Sequence, residues 1–246
     1  RSGLPGPPAE SAPTLRLWVV YSFEVVALAL LRIPHDLGLF MFAFGDRGSW
    51  LVVQYLTTHG YRPTIDFGYP YGLLPIMFGR IWFGLFGLTP VSFDFAMTTG
   101  GIAMAWGMAR FASAMQLGRA GQMLMIVALP IAIQSSLPSL SHLLEAVMLC
   151  LALGEHSRGN RSAALALTVA ACFAKAALGY LYGFVLVILI VADCWRDRRT
   201  DDAGHLTAGL KSRMDWIALR RTVTPAAITT ALLLAITAFV YGLRPL

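Results

Sequence analysis

Charge is what this sequence has least of. Only 13% of its 246 residues are Asp, Glu, Lys or Arg, against roughly 25% in soluble domains. That composition excludes an ordinary water-facing surface. Cysteine is also scarce: Cys150, Cys172 and Cys194 lie in or beside apolar segments, with no CxxC pair and no His at ligand spacing. A zinc module and a disulfide framework are thereby excluded, and the three read as small apolar fillers. The sequence has no internal repeat, a feature common in transporters. The net charge of +6 comes from Arg residues scattered between apolar blocks, the pattern of loop anchors, so nucleic acid is not an expected partner. The first apolar block lacks a small-residue cleavage site after it and reads as an uncleaved anchor. The chain starts at Arg1 and stops at Leu246 just after an apolar block, which suggests the N-terminal module of a longer protein.

What is present is apolar: 57% of residues are hydrophobic and the mean hydropathy is +0.65. The expected fold class is all-α, a polytopic membrane helix bundle of about seven spans with a long outer first loop carrying surface helices. Residues 1–16 form an expected disordered cytoplasmic tail, rich in Pro, Gly and Ser near its start. A first span covers 17–33, a polar loop 34–70, and apolar blocks follow at 71–88, 91–112, 121–137, 139–153, 162–192 and 224–242. The block 162–192 is too long for one crossing of a core about 30 Å thick. Lys175 and Gly179 interrupt it, which predicts two short spans meeting at a polar turn near Lys175.

The charges set the topology. If 71–88 lies on the membrane surface and the N-terminus is inside, 13 of the 19 basic residues fall on the cytoplasmic side, as the positive-inside rule requires. If 71–88 crosses, the basic segment 193–222 faces outward. The first arrangement is the better one. It makes 34–90 an outer loop and 193–222 a cytoplasmic loop. Pro75, Arg80 and Trp82 suit the piece 71–88 to an interfacial position.

With that topology the unusual polar groups share the outer face. Asp46, Arg62 and Asp66 lie in the outer loop, and Asp94 opens the second span. His142 and Glu145 open the fourth span, Lys175 sits at the turn between the fifth and sixth, and Arg244 follows the seventh. Ionisable residues at membrane depth are costly and tend to line functional cavities. His35 and Asp36, directly after the first span, read as caps, and Glu24 in mid-span needs a partner or protonation. The Tyr/Pro/Gly run at 69–72 shapes the loop and offers an aromatic face for a sugar.

Three stretches carry a family resemblance: Asp46 with the helix "GSWLVVQYLTTHG", the run "YRPTIDFGYPYGLLP", and the later "HLLEAVMLCLALGEHSRGNRSAALALTVAACFAKAALGYLYG". Together they resemble the GT-C superfamily of integral-membrane glycosyltransferases that use polyprenyl-phosphate sugars, in particular its protein-mannosyltransferase-like and aminoarabinose-transferase-like members. The resemblance implies transfer of a sugar from a lipid-phosphate donor to a lipid, protein or glycan acceptor at the outer face, with the chain in a bacterial inner membrane and its site facing the periplasm. It makes Asp46 the general base or acceptor-orienting group, with Asp66 beside it. A carboxylate there takes the acceptor's hydroxyl proton as the new bond forms. The leaving phosphate gathers negative charge and needs cationic support, for which Lys175, Arg62 and Arg244 are the candidates. His142, Glu145 and Asp94 form a second polar motif. A divalent metal ion is left open as cofactor, with no ligand set assigned. Arg47 stands where the family often has Glu, and "SLPSLSHLLE" where it often has Asp. The rival readings are a transporter or flippase for lipid-linked sugars and an inactive scaffold of the same fold.

Overall fold

The computed structural model describes residues 12–38, 46–63, 65–136, 139–175, 183–185, 188 and 208–241. The fold is all-α: the described residues form helices and turns, with one isolated bridge between Pro63 and Phe67. The helices are α1 (Ala12–Gly38), α2 (Asp46–Thr58), α3 (Leu74–Phe86), α4 (Pro90–Ala114), α5 (Arg119–Ser136), α6 (Leu140–Ser157), α7 (Arg161–Ala174) and α8 (Ala208–Tyr241).

Several boundaries follow local chemistry. Thr89 caps α4, its hydroxyl accepting from the Ser92 N–H, and Pro90 supplies the fixed φ that suits a first helical position. Asn160 caps α7 by accepting from the Ala163 N–H. α7 ends at Ala174 because Lys175 is extended (φ −153°, ψ 121°), which places the break at the residue the sequence singled out. Three boundaries differ from expectation. α1 starts at Ala12, inside the stretch 1–16 expected to be disordered. α1 runs on to Gly38, so His35 and Asp36 belong to its last turn and not to the following loop. α8 starts at Ala208, inside the segment expected as a loop, and passes through Pro225. The run "KSRMDWIALRR" is made largely of good helix formers, so its charge placed it outside the apolar block without ending the helix.

The helices pack in the order α1, α4, α6, α7, α8, with α5 against α4, α1 and α6, and with α2 and α3 across one end. α4 and α6 run parallel. Gly100 faces Leu143, Gly107 faces Cys150, and Arg110 meets Glu155. Small residues let these two backbones approach: a Cβ on Gly107 would lie 2.5 Å from the Cys150 carbonyl carbon, and one on Gly154 would lie 2.8 Å from the Gly107 oxygen. Gly107→Ala should therefore force the helices apart and cost about 1–3 kcal/mol, read as a lower melting temperature in detergent. Gly84→Ala, on a helix position with open space around it, is the matched control and should be neutral or slightly stabilising. Equal melting temperatures for the two variants would contradict this packing.

The two ends of the bundle differ in chemistry. At one end Arg110 pairs with Glu155 at 2.7 Å and lies 5.6 Å over the Trp106 ring, while Asn160 Nδ2 donates to Glu155 Oε2. Trp106 in turn meets Trp18 edge-on, and the Trp18 indole N–H donates to the Ile102 carbonyl. This network ties α1, α4 and α6 to the α6–α7 turn. The opposite end holds the starts of α4 and α6 and the end of α7. It carries Asp94, His142, Glu145 and Lys175.

Among the described residues no single helix is long and apolar enough to cross a membrane alone. α3 and α4 together reach that length and apolarity but are bent by 119°, and α7 and Val223–Ala238 are shorter apolar helices. The bend separates α3 from α4.

Candidate active site

Four segments meet where α6 begins. Trp50 on α2 is buried, and its indole N–H donates to Ser139 Oγ at 2.9 Å. Ser139 Oγ lies 2.8 Å from Ser141 Oγ, and both serines are buried. A buried indole N–H needs an acceptor, so this chain of polar groups fixes α2 against the N-terminus of α6. Asp46 is the first residue of α2, one turn before Trp50. The side chains of Asp46 and Arg47 lie outside the described residues, as does Arg244.

The loop before α3 supplies the second wall. Tyr69 is buried and its hydroxyl donates to the Gly72 carbonyl at 3.0 Å, closing the turn around Pro70. Its ring lies edge-on to Trp50 at 5.9 Å, and Tyr71 lies 5.6 Å from Trp50. The Gly72 N–H donates to the Ala174 carbonyl at 3.2 Å, and a Cβ on Gly72 would fall 1.8 Å from the Phe173 oxygen. Only glycine lets the loop backbone lie this close to the last turn of α7.

Lys175 follows directly. Its Nζ contacts His142 Nε2, joining the end of α7 to the first turn of α6. The His142 ring is edge-on to Tyr71 at 6.5 Å. Glu145, one turn further along α6, is buried and within electrostatic range of Cys172 on α7. A cation at a helix C-terminus and a helix N-terminus beside it both suit a bound anion nearby. Lys175, His142 and Tyr71 together can hold an anionic group with an aromatic edge against it.

Asp66 and Arg62 hold each other: Arg62 Nε donates to Asp66 Oδ2 at 3.2 Å, Nη2 to Oδ1 at 3.3 Å, and the Arg62 backbone N–H to Oδ2 at 2.6 Å. The Arg62 side chain and backbone hold the Asp66 carboxyl below the usual carboxylate range, and that bond raises Arg62. The pair steadies its turn above the ordinary carboxylate pKa and releases it as pH falls through the lowered Asp66 value. Asp94 is half-buried in the second turn of α4, at the same end of the bundle as His142. Glu24 lies on α1, where its Oε2 and the Tyr21 hydroxyl are buried without hydrogen-bond partners among the described residues. No group of three or more His, Cys, Asp or Glu among the described residues could hold a metal ion.

Sequence reasoning missed Trp50, Ser139 and Ser141; Gly72 stands out in the sequence only as part of the loop-shaping run 69–72, without its partner on α7. The Ser-x-Ser pair ahead of α6 stands out only as a departure from the family pattern, and nothing local marks Trp50 as its partner 89 residues away. Comparison with family models, curated proteins and solved structures finds no match. The family likeness therefore rests on the residues alone.

Proposed function

We propose that this chain is the transmembrane module of a glycosyltransferase that moves a sugar from a polyprenyl-phosphate donor to an acceptor at the outer face of the membrane. The observation that carries the reading is the convergence at the start of α6. Lys175 and His142 meet there beside Tyr71, and α2, the helix that Asp46 opens, is fastened to the same spot by Trp50. Lys175 would take the donor phosphate, Tyr71 would border the sugar, and Asp46 would receive the acceptor's proton.

The membrane part of the reading has its own support. Val19, Phe23 and Leu30 on α1, Met123, Leu124 and Val127 on α5, and Ile228, Leu232 and Leu234 on α8 are all exposed. Water-soluble monomers seldom expose apolar surface so continuously, whereas lipid tails cover it without cost. Helix α1, with 27 residues, is roughly 40 Å long at 1.5 Å per residue, sufficient for a bilayer core. In this arrangement seven segments cross, α3 lies along the interface, and α2 and the 59–73 turn stand outside. The cell location is the plasma membrane of a bacterium, with the site on the exterior side.

Two measurements test it. A cysteine in place of Arg62, an exposed position, should react with an impermeant maleimide added to intact cells; reaction only after permeabilisation would overturn the topology. Membranes holding the full-length protein should move radiolabelled sugar from a polyprenyl-phosphate donor to an acceptor. An unchanged donor would leave the transporter and scaffold readings.

A further inference from the structure

We propose that Phe78, Trp82, Phe86 and Phe95 form a track on which the isoprenoid chain of the lipid-phosphate substrate lies. The inference rests on the lipid-phosphate donor reading and adds to it the place of the lipid tail.

The rings make a continuous series. Phe78, Trp82 and Phe86 recur every four residues along α3, so they stand on one face of the helix. Phe78 stacks on Trp82 at 5.5 Å, and Trp82 meets Phe86 at 4.6 Å. The series then crosses the 119° bend: Phe95, in the second turn of α4, lies 5.1 Å from Trp82 and 5.2 Å from Phe86. From Phe78 to Phe86 it covers about 12 Å at 1.5 Å per residue. Phe86 and Phe95 are exposed, and Phe78 and Trp82 are half-buried.

Trp82 differs from an ordinary anchor at the membrane surface. Such an indole turns its polar edge to the wet side of the interface. The Trp82 N–H instead donates to the Ser92 carbonyl at 2.9 Å. That bond fixes the ring across the bend and leaves an apolar surface as all it offers. Arg80, the only charged residue of α3, lies two residues from both Phe78 and Trp82, a spacing that does not share a face.

One end of the track is tied to the candidate phosphate site. Gly72, just ahead of α3, donates its N–H to the carbonyl of Ala174, the neighbour of Lys175. Helix α3 runs from that contact to the bend. A chain whose phosphate sits at Lys175 and which follows α3 meets Phe78, Trp82 and Phe86 in order, then turns along α4 at Phe95. The double bonds of an isoprenoid give it flat π faces to set against the rings. Straight saturated acyl chains have none.

The test measures binding of geranyl, farnesyl and geranylgeranyl phosphate to the full-length protein in nanodiscs, with empty nanodiscs as the blank. Lipid covers a free tail as well as an apolar protein surface does, so burial alone gives a longer chain no advantage there. Contact with the rings does. Geranylgeranyl phosphate should bind about threefold to tenfold more tightly than geranyl phosphate, the scale of one aromatic contact. Octadecyl phosphate, straight and saturated, should bind no more tightly than geranyl phosphate. Phe86→Leu should remove most of the length preference while geranyl phosphate binds as before. Phe95→Leu, at an equally exposed position, is the second variant should the first fail to fold. Phe23→Leu, an exposed ring on α1, should bind every lipid as the wild type does. A missing length preference, a preference that survives in the folded variants, an equal loss in Phe23→Leu, or octadecyl phosphate matching geranylgeranyl phosphate would overturn the inference alone. Binding of no prenyl phosphate above the blank would remove the lipid-phosphate reading and this inference with it.

Discussion

Asp46→Asn should abolish sugar transfer, lowering the rate by about a hundredfold to ten-thousandfold, the usual contribution of a general base, while the protein still inserts in the membrane. The substitution is nearly isosteric. Asn keeps the size and hydrogen-bonding capacity that suit the start of a helix, so α2 should still form from its first residue. What is lost is an acceptor for a proton. Asp46 stands one turn ahead of Trp50, whose indole is fastened to Ser139 at the start of α6, so its backbone belongs to a helix anchored there. The loss of a carboxylate at a helix N-terminus should cost only about 0.3–1 kcal/mol, too little to unfold the bundle. Transfer assayed in proteoliposomes, with insertion checked by protease protection, separates the two effects. A fully active Asp46→Asn protein would remove Asp46 from the chemistry.

Lys175→Met should slow transfer by about a hundredfold to a thousandfold. That is the scale measured when one preorganised donor to a developing charge is removed. Met preserves the length of the side chain and much of its apolar packing, so the loss reports charge. Lys175→Arg should recover part of the rate only. Arg keeps the positive charge but replaces a compact ammonium with a planar fork, and Gly72 lies against Phe173 with no room for the loop to yield. If Lys175→Met turned over at the wild-type rate, the phosphate would have to bind elsewhere, and the contact with His142 would be structural.

The helices were legible from hydrophobic runs because burial and chain length constrain them strongly. So was the interruption at Lys175, where an apolar block too long for one crossing met a cation. The clustering of Asp94, His142, Glu145 and Lys175 at one end also followed from simple alternation: each helix reverses the chain, so polar residues at alternate helix ends must meet. Partner choice was not legible. Trp50 reaches Ser139 and Gly72 reaches Ala174 across long stretches of sequence, and no local pattern encodes such pairings. The Arg62–Asp66 bond shows the opposite failure. The two are four residues apart, yet the sequence offers each as a separate candidate for the site. The start of α8 was hidden because its first turns are charged, and an apolar-run criterion cannot see a helix in "KSRMDWIALRR".

The fate of the donor phosphate tests the central claim most directly. Full-length protein in proteoliposomes is given a polyprenyl phosphate carrying a labelled sugar, and the free polyprenyl phosphate formed is measured. The account predicts that the phosphomonoester accumulates with transfer of the sugar, and that Asp46→Asn and Lys175→Met suppress both together. Passage of the intact sugar donor across the bilayer, with no phosphomonoester formed, would contradict it and identify a transporter of lipid-linked sugars instead.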